Sequence, residues 1–152
     1  MEEMNSYYGR ALSDYRYAKH SMPIGEKFND YNNVAALCEQ AAEKYLKAVL
    51  EVSFSEDEEV VRLLRTHNLR SLYNKLKTRY DLSISSKDCV WLGNFYYDAR
   101  YPGDNFTVVT KEDACECIRI VENIQKDADT VLEAVNQERK KQASSLKDLK
   151  KF

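Results

Sequence analysis

Imidazole and guanidinium are the groups in this sequence with chemistry to offer. Two histidines occur, His20 and His67. His20 closes a helix-forming stretch, where a cationic side chain suits the helix C-terminus. His67 lies in RLLRTHNL, five residues after Arg62 and two after Arg65. On one continuous helix, at ~100° per residue, Arg62 and His67 stand roughly 140° apart, so they meet only across a break. Thr66 offers that break. Two readings of His67 stand: a structural, helix-starting residue, or a titrating group in a site.

The second concentration of chemistry is YYDARYPGD, residues 96–104, where Arg100 stands between Tyr97 and Tyr101. A guanidinium among aromatic rings can hold a phosphate and a base together. The other reading is that Asp98 and Arg100 end a helix and tie it to a neighbour. Eleven tyrosines suit helix packing with a polar tip at the rim, and also stacking on a planar ligand. No Gly-rich phosphate loop, nucleophile elbow or paired-carboxylate spacing stands out. Cys38, Cys89, Cys115 and Cys117 are scattered, and Cys115 and Cys117 point to different sides of a helix, a poor zinc clamp. They read as buried reduced thiols. No metal and no cofactor is expected.

These groups need a scaffold, and Asp30 to Val52, DYNNVAALCEQAAEKYLKAVLEV, supplies its centre. Val34, Cys38, Ala41, Tyr45 and Val49 recur at steps of three and four, which predicts one helical face. Ala35, Ala42 and Leu46 widen it. The alanines, Ala36 and Ala48 included, favour helix and admit a close neighbour. Glu39, Glu43 and Lys47 form the polar side, with Glu43 and Lys47 an i,i+4 pair.

Taken in order, a first helix runs from about Glu3 to His20, stopped by Pro23 and Gly25. PIGEKFN is then a loop, and Asn29 or Asp30 caps the central helix. Ser55 with Glu58 predicts a short helix to about Leu64, a mobile loop being the alternative. Thr66 caps the next, with Leu69, Leu72, Tyr73, Leu76 and Tyr80 inward. Ser85 with Asp88 opens a helix that buries Cys89, Leu92, Phe95 and Tyr96 and ends at Pro102–Gly103. FTVV is too brief and isolated for a strand. Thr110 with Asp113 opens the last helix, apolar in period from Ala114 to Val135. The fold class is all-α: one up-and-down bundle of about five helices over residues 1–140. Residues 141–152 form a frayed polar and basic tail, whose Leu146, Leu149 and Phe152 dock elsewhere.

A chain of 152 residues suits one domain with a real core. The net charge of −2 gives no global pull toward nucleic acid, so any such site is local. No apolar run approaches the ~20 residues that span a bilayer. MEEMNSYYGR is acidic and polar, not a signal peptide. A cytoplasmic protein without membrane contact is expected.

Three pieces, QAAEKYLKAVL (Gln40 to Leu50), THNLRSL (Thr66 to Leu72) and YYDARYP (Tyr96 to Pro102), occur in an order and separation that resembles a HEPN domain, the higher-eukaryote and prokaryote nucleotide-binding helical family. The resemblance implies a five-helix bundle that pairs into a homodimer. It also implies work beside a minimal nucleotidyltransferase in a toxin–antitoxin module, nucleotide binding, or RNA cleavage. Ribonuclease members carry Arg, four to six residues, then His, with a polar residue after the Arg. Arg62-LLRT-His67 meets that spacing, with Leu63 in the polar position. His67 also fits the family's Thr-His-x-Leu segment. Members modified by their nucleotidyltransferase partner resemble a pattern with Tyr two after the His, where this chain has Leu69.

The resemblance leaves three readings. In the first, a nucleotide or a nucleotidyltransferase partner binds a groove lined by His67, Arg65, Tyr97, Arg100 and Tyr101, with Lys44 joining from the central helix. In the second, a metal-independent ribonuclease uses the RNA 2′-OH as nucleophile and His67 as general acid or base. Arg62 or Arg65 then stabilises the phosphorane charge, against the repulsion of the acids Glu56 to Glu59. In the third, the chain is a dimeric scaffold without ligand.

Overall fold

A computed structural model describes residues 3–151. Eight helical segments follow one another: α1 (Tyr7–His20), α2 (Met22–Phe28), α3 (Asn32–Ser53), α4 (Glu58–Arg65), α5 (Leu69–Lys77), α6 (Ser86–Gly93), α7 (Phe95–Asp98) and α8 (Lys111–Leu149). Among the described residues there is no strand, and FTVV is loop. The all-α bundle stands as the sequence indicates.

The centre is α3, in which 16 of 22 residues are buried, too many for an ordinary one-sided helix. α1 and α8 lie along it most extensively. Small residues allow this approach: Ala11 and Ala18 of α1 and Ala35, Ala41 and Ala42 of α3 are fully enclosed. Tyrosine hydroxyls fasten the rim, as Tyr8 donates to Asp129 at 2.6 Å and Tyr15 to Glu122 at 2.6 Å. Burial, and then the Glu122 bond, pushes the Tyr15 phenol up to about 12. Of the cysteines, Cys38, Cys89 and Cys117 are buried as expected and Cys115 is exposed; burial raises the Cys38 and Cys89 thiols to about 12.

Several boundaries differ from the sequence reading. PIGEKF is helix, not loop, because Pro23 sits in the first turn of α2, where a proline nitrogen has no donor to lose. Asn29, in the left-handed region at φ 50°, ends that helix. Gly25 is needed for another reason: a Cβ there would stand 2.5 Å from the Tyr31 ring. Neither Asn29 nor Asp30 is the N-cap of α3, which is Tyr31 without a side-chain cap bond; Asp30 accepts the Asn32 amide at 3.2 Å just before it. Asp57, not Ser55, caps α4 through the Val60 amide, and Asn68, not Thr66, caps α5 through the Ser71 amide. The helix opened by Ser85 is interrupted at Asn94, which separates α6 from α7. Thr110 and Asp113 form the expected reciprocal capping box. α8 continues through residues 141–149 as helix; Leu146 and Leu149 there are exposed, and Phe152 lies outside the described residues.

Asn32 holds the loop that follows α7. Its Nδ2 donates to the carbonyls of Ala99 at 3.0 Å and Thr107 at 2.8 Å. Its Oδ1 accepts the Val109 amide at 2.9 Å. Three backbone groups thus depend on one side chain. Asn32→Ala leaves them without partners and is expected to cost about 2–4 kcal/mol in chemical denaturation. A cost below about 0.5 kcal/mol would show that the loop finds other partners.

Candidate functional site

The polar side of α3 is covered as well. Glu39 is fully buried, Glu43 and Lys47 nearly so, whereas the sequence pattern makes them the wet side of the helix. Each is accommodated differently. Neither carboxyl oxygen of Glu39 has a hydrogen-bond partner. Burial first, then the nearby Glu43 charge, pushes the Glu39 carboxyl far above its ordinary range, against the pull of Arg100 and Lys47. Burial lowers the Lys47 ammonium, against the attraction of Glu43 and Glu39. The expected Glu43–Lys47 pair makes no close contact among the described residues.

Glu43 pairs instead with His67, whose Nδ1 stands 3.0 Å from Oε1 and 3.3 Å from Oε2. A carboxylate only accepts, so Nδ1 carries the proton and Nε2 is left for the outside. His67 occupies the turn between α4 and α5 and is about half exposed, 49% against 5% for Glu43. Its ring stacks on Tyr96 of α7, with centroids 4.1 Å apart and planes 16° apart. The Arg100 guanidinium lies over the same ring at 4.7 Å. One Arg100 nitrogen, Nη2, is enclosed without a partner. Imidazole and guanidinium therefore converge on one tyrosine.

An open groove of about 460 Å³ runs between the α5 start and α6–α7, lined among others by His67, Asn68, Arg70, Asn94, Tyr96 and Tyr97. That volume lies in the range of small-ligand sites. The Tyr97 ring, 64% exposed, also borders a smaller cleft of about 180 Å³ with Tyr101 and Asp104. Tyr97 packs edge-on to Tyr96 at 4.6 Å and tilted to Tyr101 at 6.0 Å.

The family model for the HEPN domain matches residues 4–131. The chain belongs to the HEPN family. No curated protein and no solved structure matches it. Among its described residues no helix is long and apolar enough to cross a membrane.

In this HEPN domain the residues singled out from sequence separate into groups. His67 and Tyr97 line the groove, and Tyr101 the adjoining cleft. Arg100 is tucked over Tyr96 and is not part of the groove lining. The chain does break between Arg62 and His67, yet Arg62 turns away. Its Nε contacts the Glu58 carbonyl at 3.4 Å, and it borders a depression of about 600 Å³ with Glu56, Asp57 and Glu58. Arg65 is exposed at the α4 end and lines neither cleft. Lys44 bonds Asp14 of α1 and belongs to a different surface, because it stands ~100° around the helix from Glu43. Sequence reasoning missed Arg70, which stands in the first turn of α5 and lines the groove with His67. It also missed Glu43 as the histidine's partner, a pairing across 24 residues that no local pattern announces.

Two outcomes are expected. Glu39 keeps its proton in the fold and loses it in the unfolded chain above the ordinary 4.5. The unfolded state then binds fewer protons, so stability falls as pH rises from there, by at most about 1.4 kcal/mol per pH unit. In Glu39→Gln the fall between pH 5 and 8 shrinks; an unchanged slope in urea titrations at each pH refutes this. Nitrogen–proton correlation of the His67 ring should show the Nδ1–H tautomer, giving way to a mixture in Glu43→Gln. A dominant Nε2–H form in the wild type contradicts the pairing.

Proposed function

We propose that this HEPN domain binds a nucleotide in the groove between the α5 start and α6–α7. The observation that carries the proposal is the anchored stack. Glu43 fixes the His67 ring and His67 covers Tyr96, beside an exposed Tyr97 face and the Arg70 guanidinium. Tyr97 offers its ring to a base, and Arg70 offers a fork of donors to a phosphate. Neither Arg70 nor Asn94 has a side-chain partner among the described residues, so both are available to a ligand. In the same proposal the chain acts in the cytoplasm as a homodimer, in a toxin–antitoxin type system with a minimal nucleotidyltransferase as partner.

Calorimetry with ATP and GTP tests the ligand. Micromolar binding is expected for one of them, weakened about fivefold or more by Tyr97→Ala, since base stacking contributes about 1–3 kcal/mol. Arg70→Ala should weaken it comparably. Absence of binding by the wild type removes the proposal.

The His67–Glu43 pair also favours a second reading, a metal-independent ribonuclease. Nε2 of His67 takes the proton of an RNA 2′-OH as the oxygen attacks phosphorus. A 2′,3′-cyclic phosphate forms, and the 5′-oxygen leaves with a proton from solvent or a second acid. Arg62 borders a different depression, so Arg70 is the guanidinium in the groove for the phosphorane charge. RNA integrity in cells expressing wild type or His67→Ala separates the readings; identical patterns end the nuclease.

A further inference from the structure

α8 outruns the bundle. Every described residue from Asn136 to Lys151 is exposed, and the family match ends at residue 131. The helical part of this arm, through Leu149, projects roughly 20 Å at ~1.5 Å per residue. A helix that buries nothing gains little from the core, so what it offers is its side chains.

Those side chains are sorted by sign. From Asn136 onward one arginine and five lysines stand against Glu138 and Asp148, a net +4; with −2 for the whole chain, the remainder carries −6. At ~100° per residue, Arg139, Lys140, Lys147, Lys150 and Lys151 fall within an arc of about 120°. Lys150 keeps right-handed helical dihedrals, φ −76° and ψ −12°, so the stripe carries through the helix end. Glu138, Asp148 and Lys141 lie outside the arc. None of the five cations meets a carboxylate among the described residues.

We propose that this face docks on the phosphate backbone of a nucleic-acid double helix, without regard to sequence. The five charges spread over roughly 18 Å of helix axis. A duplex presents one phosphate per ~3.4 Å on each strand, so about five phosphates per strand occupy that length. A helix without glycine or proline holds its cations at fixed spacing along a duplex, whereas a flexible single strand would have to be ordered first. The projection matters too. Screening limits the repulsion of the acidic body to about 8–10 Å, and Lys147, Lys150 and Lys151, roughly 18 Å or more beyond Val135, lie past it.

Other occupants fit less well. The acids Glu56 to Glu59 on a second copy span at most about 10 Å even if fully extended, too short to face the stripe. The arm's described large apolar side chains are Leu146 and Leu149, beside the basic arc, with no broad apolar face for a membrane surface.

Fluorescence anisotropy of a labelled 20-base-pair duplex with the full chain tests this. Log affinity should fall with log salt at a slope of about −4.5, roughly a 500-fold loss between 50 and 200 mM. Arg139→Glu with Lys147→Glu should abolish binding at the lower salt, while Glu138→Gln with Asp148→Asn strengthens it. Circular dichroism checks that helix content is kept. The proposal is overturned if the charge-reversed chain binds duplex as the wild type does. It is equally overturned if single-stranded RNA, an acidic protein or anionic vesicles are bound in preference to duplex.

Discussion

A helix packed around most of its circumference keeps only a narrow wet stripe, and ionisable residues outside that stripe are buried. α3 is such a helix, its stripe Asn33, Leu37, Gln40, Lys44 and Glu51, with Glu39, Glu43 and Lys47 buried at successive four-residue steps. Burying an unpaired charge costs more than most single interactions return, so each group must be neutralised or partnered where it stands. Glu39 keeps its proton. Glu43 takes the imidazole of His67, and Arg100, lying on Tyr96, only partly opposes the rise of the Glu39 carboxyl. The groove is the outer surface of that arrangement. What positions its histidine is therefore an electrostatic requirement of the core, not a property of the loop in which the histidine sits.

The same helix sets the other wall. Asn32, at its first position, satisfies two carbonyls and one amide from the loop after α7. That loop has no regular structure of its own, and buried backbone groups require partners. With the loop held, α7 is fixed against α3, and Tyr96 is presented to His67. The opposite side of the α5–α6 connection is held by Asp127 of α8, which accepts the Ser83 amide and hydroxyl and the Ile84 amide. Two side chains thus define the ends of the segment that carries α6 and α7.

Much of the fold was legible because periodicity is local. The apolar steps of α3, α5 and α8 and the Thr110–Asp113 capping box follow from residues within a few positions of one another. α2 was missed because a proline and a glycine together read as a stop, although the first turn of a helix tolerates the one and a packed tyrosine requires the other. The break at Asn94 was missed although Gly93 precedes it, because the inward period of Cys89, Leu92 and Tyr96 runs on across it. The site was only half legible. Aromatic and basic residues advertise chemistry by type, which picked out His67 and Tyr97. The direction a side chain takes depends on which elements cover the helix, and there sequence misleads. Lys44 and Glu43 are neighbours in the chain, yet one reaches Asp14 on α1 and the other His67.

α8 contains neither glycine nor proline over its 39 residues, a length of roughly 58 Å. It has no joint. The inner turns press Ile120, Val121, Ile124 and Ala128 into the core, and the outer turns stand in solvent as part of the same rod. A pull or twist at the tip is not absorbed by a hinge on the way in. It arrives at Asp127, one turn from the last well-packed residues, where the α5–α6 connection is moored. The long helix is thus a lever whose short end rests against the segment that shapes the groove.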